Sequence, residues 1–139
     1  MIEIRRLTSL PPEIAVLRDE AVADGIRNMG TLVAEWQSGS ERYDGPGEAL
    51  FGAFDRDGLV GIGCVKREQA AMRMRRLYVR RAARRGGVGR ALAQAMIARG
   101  FDSMKRLTCN AVPPGAAEFW EAMGFRRVAA DGWTHEMGK

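Results

Sequence analysis

One stretch limits this chain more than any other: Arg84-Arg85-Gly86-Gly87-Val88-Gly89-Arg90. It follows an apolar segment of strand character, Met74 to Val79, and opens one of helical character, Val88 to Arg99. Glycine has no Cβ, so a glycine-rich strand-to-helix turn lets the backbone approach a ligand and adopt positive φ. The first N–H groups of a helix lack internal partners, and the helix dipole is positive at that end. Such a turn is a cradle for phosphate. It lacks the Lys-Ser/Thr ending of a nucleotide-triphosphate loop. It also lacks the G-x-G-x-x-G spacing, and the acidic residue about 20 positions on, of a dinucleotide site.

Charge supports an anionic partner. The net charge is +5, but residues 66–106 hold 13 Lys/Arg against two acids, and the remainder holds nine against 15. The basic block is therefore +11 and the rest −6. A phosphate-rich cofactor and a nucleic acid both fit such a block. Nucleic acid fits less well, because only Tyr78 interleaves an aromatic with the arginines. A third reading is a solubilising surface.

At 139 residues the chain is expected to form one domain, residues 1–139, with enough apolar content for a core. No run of 18 or more apolar residues predicts a membrane span, and Met1 to Leu10 has no signal-peptide core. Cys64 and Cys109 sit in apolar strand-like runs and read as buried free thiols in a reducing cytoplasm. One histidine and two cysteines do not make a metal site, so no metal is expected.

Periodicity gives the element order. Ile2 to Leu7 alternates as a strand, and Pro11-Pro12-Glu13 opens a helix with Ile14, Leu17, Ala21 and Val22 on one face. Ile26, Met29, Leu32, Val33 and Trp36 recur at helical spacing, a face that core packing or a substrate wall would explain, core packing being the commoner. Glu48 to Phe54 and Leu59 to Lys66 read as strands joined by Asp55-Arg56-Asp57-Gly58. Met72 to Val79 is a third strand. After the glycine turn and its helix come a strand at Arg106–Ala111, a short helix at Ala116–Met123, and strands at Phe125–Ala129 and Trp133–Met137.

The segment Leu77-Tyr78-Val79 followed by Arg84-x-x-Gly87-x-Gly89 resembles the acetyl-CoA motif of the GNAT superfamily, the GCN5-related N-acetyltransferases. That motif is Arg/Gln-x-x-Gly-x-Gly/Ala after a strand reading like Leu-Tyr-Val. Ala116-x-x-Phe119-Trp120-x-x-x-Gly124-Phe125 is similar to the family's Ala-x-x-Phe-Tyr-x-x-x-Gly-Phe. The element order matches too. The resemblance implies an α/β (α+β) GNAT acyl-CoA N-acyltransferase fold, a mixed, mostly antiparallel sheet of six or seven strands with about four helices.

It further implies acetyl-CoA as cosubstrate and direct acetyl transfer to a primary amine, on a small molecule or a protein. A CoA-binding protein with little catalysis is the alternative, and a basic nucleic-acid-binding module the weaker one. The diphosphate would lie on Arg84, Arg85, Gly86, Gly87, Val88, Gly89 and Arg90, and the pantetheine arm on the main chain of Leu77, Tyr78 and Val79. Asn110, Phe119 and Trp120 would complete the cofactor site. The Val79 N–H would serve as oxyanion donor. Arg81 stands where the family often has proline, and Pro113 where it has its usual asparagine.

Acyl transfer to an amine needs a proton acceptor, an oxyanion donor and a fate for the leaving thiolate. The family's thiolate acid is the tyrosine of Phe-Tyr. Here that position is Trp120, whose indole donates a hydrogen bond but supplies no proton near neutral pH. Glu48 and Glu68 are the candidate bases, although acids at strand ends are more often solvated. His135 reads as structural, and Trp36 and Tyr43 could line an acceptor pocket or simply pack. The acceptor stays open, as does a homodimer.

Overall fold

A computed structural model describes residues 1–139. The elements are β1 (Glu3–Leu7), α1 (Ile14–Ala23), α2 (Asn28–Ser38), β2 (Ala49–Asp55), β3 (Gly58–Glu68), β4 (Ala71–Val79), α3 (Val88–Ser103), β5 (Arg106–Cys109), α4 (Ala116–Ala122), β6 (Arg126–Arg127) and β7 (His135–Gly138). The order is the expected one. A short 3-10 turn, Arg81–Ala83, occupies the basic link before the glycine turn. The last two strands are shorter than their sequence pattern, although Val128 N–H still bonds Thr134 O at 2.9 Å beyond them.

All seven strands form one sheet in the order β1-β2-β3-β4-β5-β7-β6. Every pairing is antiparallel except β4 with β5, which is parallel. The central strand β3 has seven consecutive buried residues, Leu59 to Val65, because helices cover both of its faces. On one face Val88, Leu92 and Met96 of α3 pack with Met72, Met74, Leu107 and Trp120. On the other, Ile14, Leu17 and Ala21 of α1 and Met29, Leu32 and Val33 of α2 pack with Leu50, Ile62, Cys64 and Tyr78. Gly63 lets α3 lie close: a Cβ there would come within 2.5 Å of Met96 Sδ.

Two irregularities in β4 position the site. The register runs from Ile62↔Tyr78 to Cys64↔Arg75, so Arg76 and Leu77 together oppose Gly63. This is a β-bulge, and its first residue, Arg76, has φ 57°. The bulge resets which side chains face which layer. Before it, Met72 and Met74 face α3, leaving Arg73 and Arg75 on the opposite side. Beyond it, Tyr78 faces α1 and α2 while Leu77 and Val79 pack toward α3. The second irregularity is a parting of strands. β4 and β5 pair only at Met72↔Leu107, Arg73↔Thr108 and Met74↔Cys109. β4 then continues from Arg75 to Val79, leaving roughly 16 Å of strand edge without a partner.

Candidate active site

A cavity of about 830 Å³ opens where β4 and β5 part. Its floor is the β4 segment from Arg73 to Val79, and the opposite wall runs from Cys109 through Pro113-Pro114-Gly115 to Trp120. The glycine turn closes one end, with Arg84, Arg85, Gly87, Val88, Gly89 and Arg90 on the lining.

The turn is built as a donor cradle. Gly87 caps α3 with φ 81° and Arg85 has φ 70°, so left-handed backbone recurs two residues apart. The first helical hydrogen bond runs from Ala91 N–H to Gly87 O at 3.0 Å. The N–H groups of Val88, Gly89 and Arg90 therefore precede the helical ladder and have no acceptor within it. This unfilled donor set, beside three guanidinium groups, fits a diphosphate. Val79 faces the same space. The neighbouring Arg80 N–H bonds Val60 O on β3 at 2.9 Å, and antiparallel alternation turns the polar groups of Val79 the other way. Its carbonyl accepts from Arg84 Nε at 3.0 Å.

Aromatic packing forms the far wall. Trp120 is 6% exposed and makes edge-to-face contacts with Phe119 and Phe125, each with ring centroids 5.1 Å apart. Gly89 lies against this wall, since a Cβ there would meet Phe119 Cε1 at 3.4 Å and Val79 Cγ2 at 3.6 Å.

The remaining side of the cavity comes from the link between α1 and α2. Ile26 and Asn28 line it, and Asn28 Nδ2 donates to Leu77 O at 3.0 Å. Glu35 on α2 accepts from Arg76 Nη2 and from the Tyr43 hydroxyl, both at 2.9 Å. Glu20 on α1 accepts from the Tyr78 hydroxyl at 2.7 Å and from Arg81 N–H at 2.9 Å. Burial alone would raise the Glu20 carboxyl, but these donors hold it below the ordinary carboxylate value. Burial first, and then the bond to Glu20, push the Tyr78 phenol up to about 12. Burial likewise lifts the Cys109 thiol to about 12.

Most of the residues singled out in the sequence converge here. Leu77, Tyr78, Val79, Arg84, Arg85, Gly87, Val88, Gly89, Arg90, Asn110, Phe119 and Trp120 all line the cavity, whereas Gly86 does not. The two candidate bases lie elsewhere. Glu48 is 5% exposed, and its carboxylate accepts from Gly45 N–H and Arg67 N–H, each at 3.0 Å, with Lys66 Nζ also at 3.0 Å. It ties the loop before β2 to β3. Glu68 sits at the far end of the β3–β4 hairpin, paired with Arg73 Nη1 at 3.0 Å. Neither reaches the lining because both are spent on cations of neighbouring strands. Trp36 and Tyr43 pack into the α1–α2 core layer rather than the cavity. His135 is fully buried between the Thr134 hydroxyl and Glu121, each at 2.8 Å.

The family follows from these features together with the matches. Residues 17–135 match the model of the acetyltransferase (GNAT) domain. The chain belongs to the GNAT acetyltransferase family, and the fold is the GNAT fold, so the protein is an acyltransferase by class. A protein from Exiguobacterium sp. 255-15, provisionally described as an acetyltransferase, superposes with a TM-score of 0.87 at 22% identity, over 99% of this chain and 93% of that one. The PaiA N-acetyltransferase of Thermoplasma acidophilum, solved with coenzyme A, gives 0.70 at 20% identity, over 100% and 99%. A GNAT family acetyltransferase of Elizabethkingia anophelis, solved with acetyl-CoA, gives 0.68 at 15% identity, over 99% and 98%. No curated protein sequence matches this chain. No helix is long and apolar enough to cross a membrane.

Proposed function

We propose that this protein is an acetyl-CoA-dependent N-acetyltransferase that moves the acetyl group directly to a primary amine. The observation that carries the reading is the parting of β4 from β5, which leaves the Val79 main chain and the α3 donor cradle facing one cavity. Bound acetyl-CoA supplies the activated thioester. The cradle from Arg84 to Arg90 holds its diphosphate, with Gly86 behind the lining rather than on it. The open edge of β4 from Leu77 to Val79 runs along the pantetheine arm, the polar groups of Tyr78 turned to β3 and those of Val79 to the cavity, and the Val79 N–H donates to the thioester carbonyl oxygen. Phe119 and Trp120 exclude water beside the sulfur. Asn110 stands exposed at the rim. The C–N bond forms as the C–S bond breaks, CoA leaves as thiolate, and the proton released by the nitrogen passes to that thiolate or to water.

No carboxylate or imidazole lines the cavity, and the phenol and thiol that do are pushed to about 12. No lining side chain accepts a proton near neutral pH. The acceptor must therefore arrive as the free amine, and the arginine-rich lining favours this by disfavouring an ammonium. With free amine alone reacting, kcat/KM should rise about tenfold per pH unit up to the acceptor's own pKa.

The test is thiol release from acetyl-CoA against a panel of primary amines, followed as a function of pH. A plateau near pH 6–7, well below the pKa of the amine, would reveal a protein base and overturn this mechanism. The absence of an acid or base on the lining also favours the second reading, a CoA-binding protein with little catalysis. Micromolar CoA binding without thiol release from any amine would select it. Nucleic acid is disfavoured because Arg73, Arg76, Arg81 and Arg106 of the basic block are paired with Glu68, Glu35, Asp24 and Glu136.

A further inference from the structure

We propose that the acceptor is an amine that also carries a carboxylate, and that Arg75 is the group that receives this carboxylate. The inference rests on the acetyltransferase reading and deepens it by naming the substrate class. Six arginines and no acid line the cavity. Arg84, Arg85 and Arg90 belong to the cofactor cradle. The other three lie on β4, and two of them are neutralised: Arg73 by Glu68 at 3.0 Å and Arg76 by Glu35 at 2.9 Å. Arg75 lies between these two pairs, half-buried, and forms no ion pair or side-chain hydrogen bond of its own. It is the one β4 cation whose charge the protein does not answer.

Its placement assigns it to the acceptor rather than to CoA. Alternation along β4 puts Arg75 opposite Met72 and Met74, which face α3, and so on the side of α1 and α2. The cradle lies at the start of α3, and Arg75 is four residues up the strand from Val79, roughly 13 Å away. A second observation marks the amine end. Asn28 gives its Nδ2 to Leu77 O, and its Oδ1 is closed to water without any partner in the chain. Such an orphaned acceptor is costly, and an amine N–H beside Leu77 would answer it once the Asn28 amide turns its oxygen toward the cavity that the residue lines. Arg75 is suited to the other end, because a guanidinium binds a carboxylate through two parallel hydrogen bonds. A plain cationic amine meets only repulsion in this lining, whereas an aminocarboxylate brings its own countercharge.

The experiment measures kcat/KM for glycine, β-alanine and 4-aminobutyrate, each against its own carboxamide, and repeats the comparison in Arg75→Gln and Arg75→Lys. In the parent, at least one carboxylate should exceed its carboxamide by tenfold or more. In Arg75→Gln that ratio should fall toward one because KM for the carboxylate rises, and Arg75→Lys should recover part of it. Equal kcat/KM within every pair of the parent would overturn the proposal. So would an Arg75→Gln loss that appears in KM for acetyl-CoA by the same factor. If no amine is acetylated, the acetyltransferase reading fails separately. The same aminocarboxylates titrated calorimetrically into the CoA-bound protein then decide the matter. Binding weakened tenfold by Arg75→Gln sustains the carboxylate site, and no binding, or binding indifferent to Arg75→Gln, removes it.

Discussion

The two ends of the cavity are built on different plans. The end proposed for the cofactor is a main-chain device, in which one turn of seven residues supplies left-handed backbone, the free N–H groups of α3 and the flanking arginines. The end proposed for the acceptor is a side-chain device assembled across the fold. Asn28 holds Leu77 from 49 residues away, Glu35 holds Arg76 from 41, and Glu20 holds Tyr78 from 58. A local device changes little when distant packing is altered. A dispersed one depends on α1 and α2 keeping their place over β4. The two halves should therefore fail separately.

The largest expected effect is on the dispersed half. Glu35→Ala strips both the nearly buried Tyr43 hydroxyl and the Arg76 guanidinium, at 15% side-chain exposure, of their carboxylate. Leaving a buried charge and a buried hydroxyl unpaired should cost about 3 kcal/mol of unfolding free energy. Glu35→Gln, which keeps one acceptor oxygen, should cost clearly less. Denaturant melts give both values. CoA affinity, measured by calorimetry where the variant is still folded, should stay within about threefold. Loss of CoA affinity in step with stability would show that the halves are one unit and break the comparison.

Next come the cradle variants, which should behave in the opposite way. Around Gly87 there is open space, so Gly87→Val acts through the backbone: φ 81° is costly for any residue with a Cβ. At Gly89 the φ is ordinary, and a side chain instead enters the gap beside Phe119 and Val79. Each should weaken CoA binding at least about tenfold, or about 1.4 kcal/mol. Only Gly87→Val should also lower stability, by about 1–2 kcal/mol. Calorimetry with CoA on both variants is the check, and unchanged affinity in both would remove the cradle from the site.

The same division explains what could be read in advance. Element order, the core faces of α1 and α2 and the cradle all depend on neighbours in sequence, so periodicity and glycine placement expose them. The bulge does not. Its left-handed residue is Arg76, where neither glycine nor asparagine announces a positive φ, and it is stabilised by Glu35 on a distant helix. Asn28 carries no signal either, because nothing in its own neighbourhood points to Leu77. Glu48 shows the reverse error. A carboxylate at a strand end reads as free, yet β3 brings Lys66 and the Arg67 N–H to it. Side-chain pairs formed across the sheet decide which charges remain available, and one sequence does not rank those pairs.

The smallest effect is expected for Trp120→Phe, at the residue that stands where the family's tyrosine would supply a proton. Two roles compete for it. As a donor it would stabilise the leaving thiolate through the indole N–H, and as a wall it would exclude water and hold the cofactor arm. The edge-to-face contacts with Phe119 and Phe125 at 5.1 Å and the 6% exposure describe a wall. A thiol with a pKa of about 8.5 also leaves without full protonation near neutral pH. Phenylalanine preserves the apolar edge and lacks the N–H, so Trp120→Phe separates the roles, and kcat should stay within about threefold. Trp120→Ala separates nothing, because it removes a buried side chain from the core together with the N–H. Trp120→Tyr adds the missing phenol and should raise kcat if the hydroxyl reaches the sulfur. Steady-state kinetics on the best acceptor decides between them. A collapse of kcat in Trp120→Phe with KM for acetyl-CoA unchanged would make the indole N–H a catalytic donor, and the cofactor end would then no longer be a main-chain device alone.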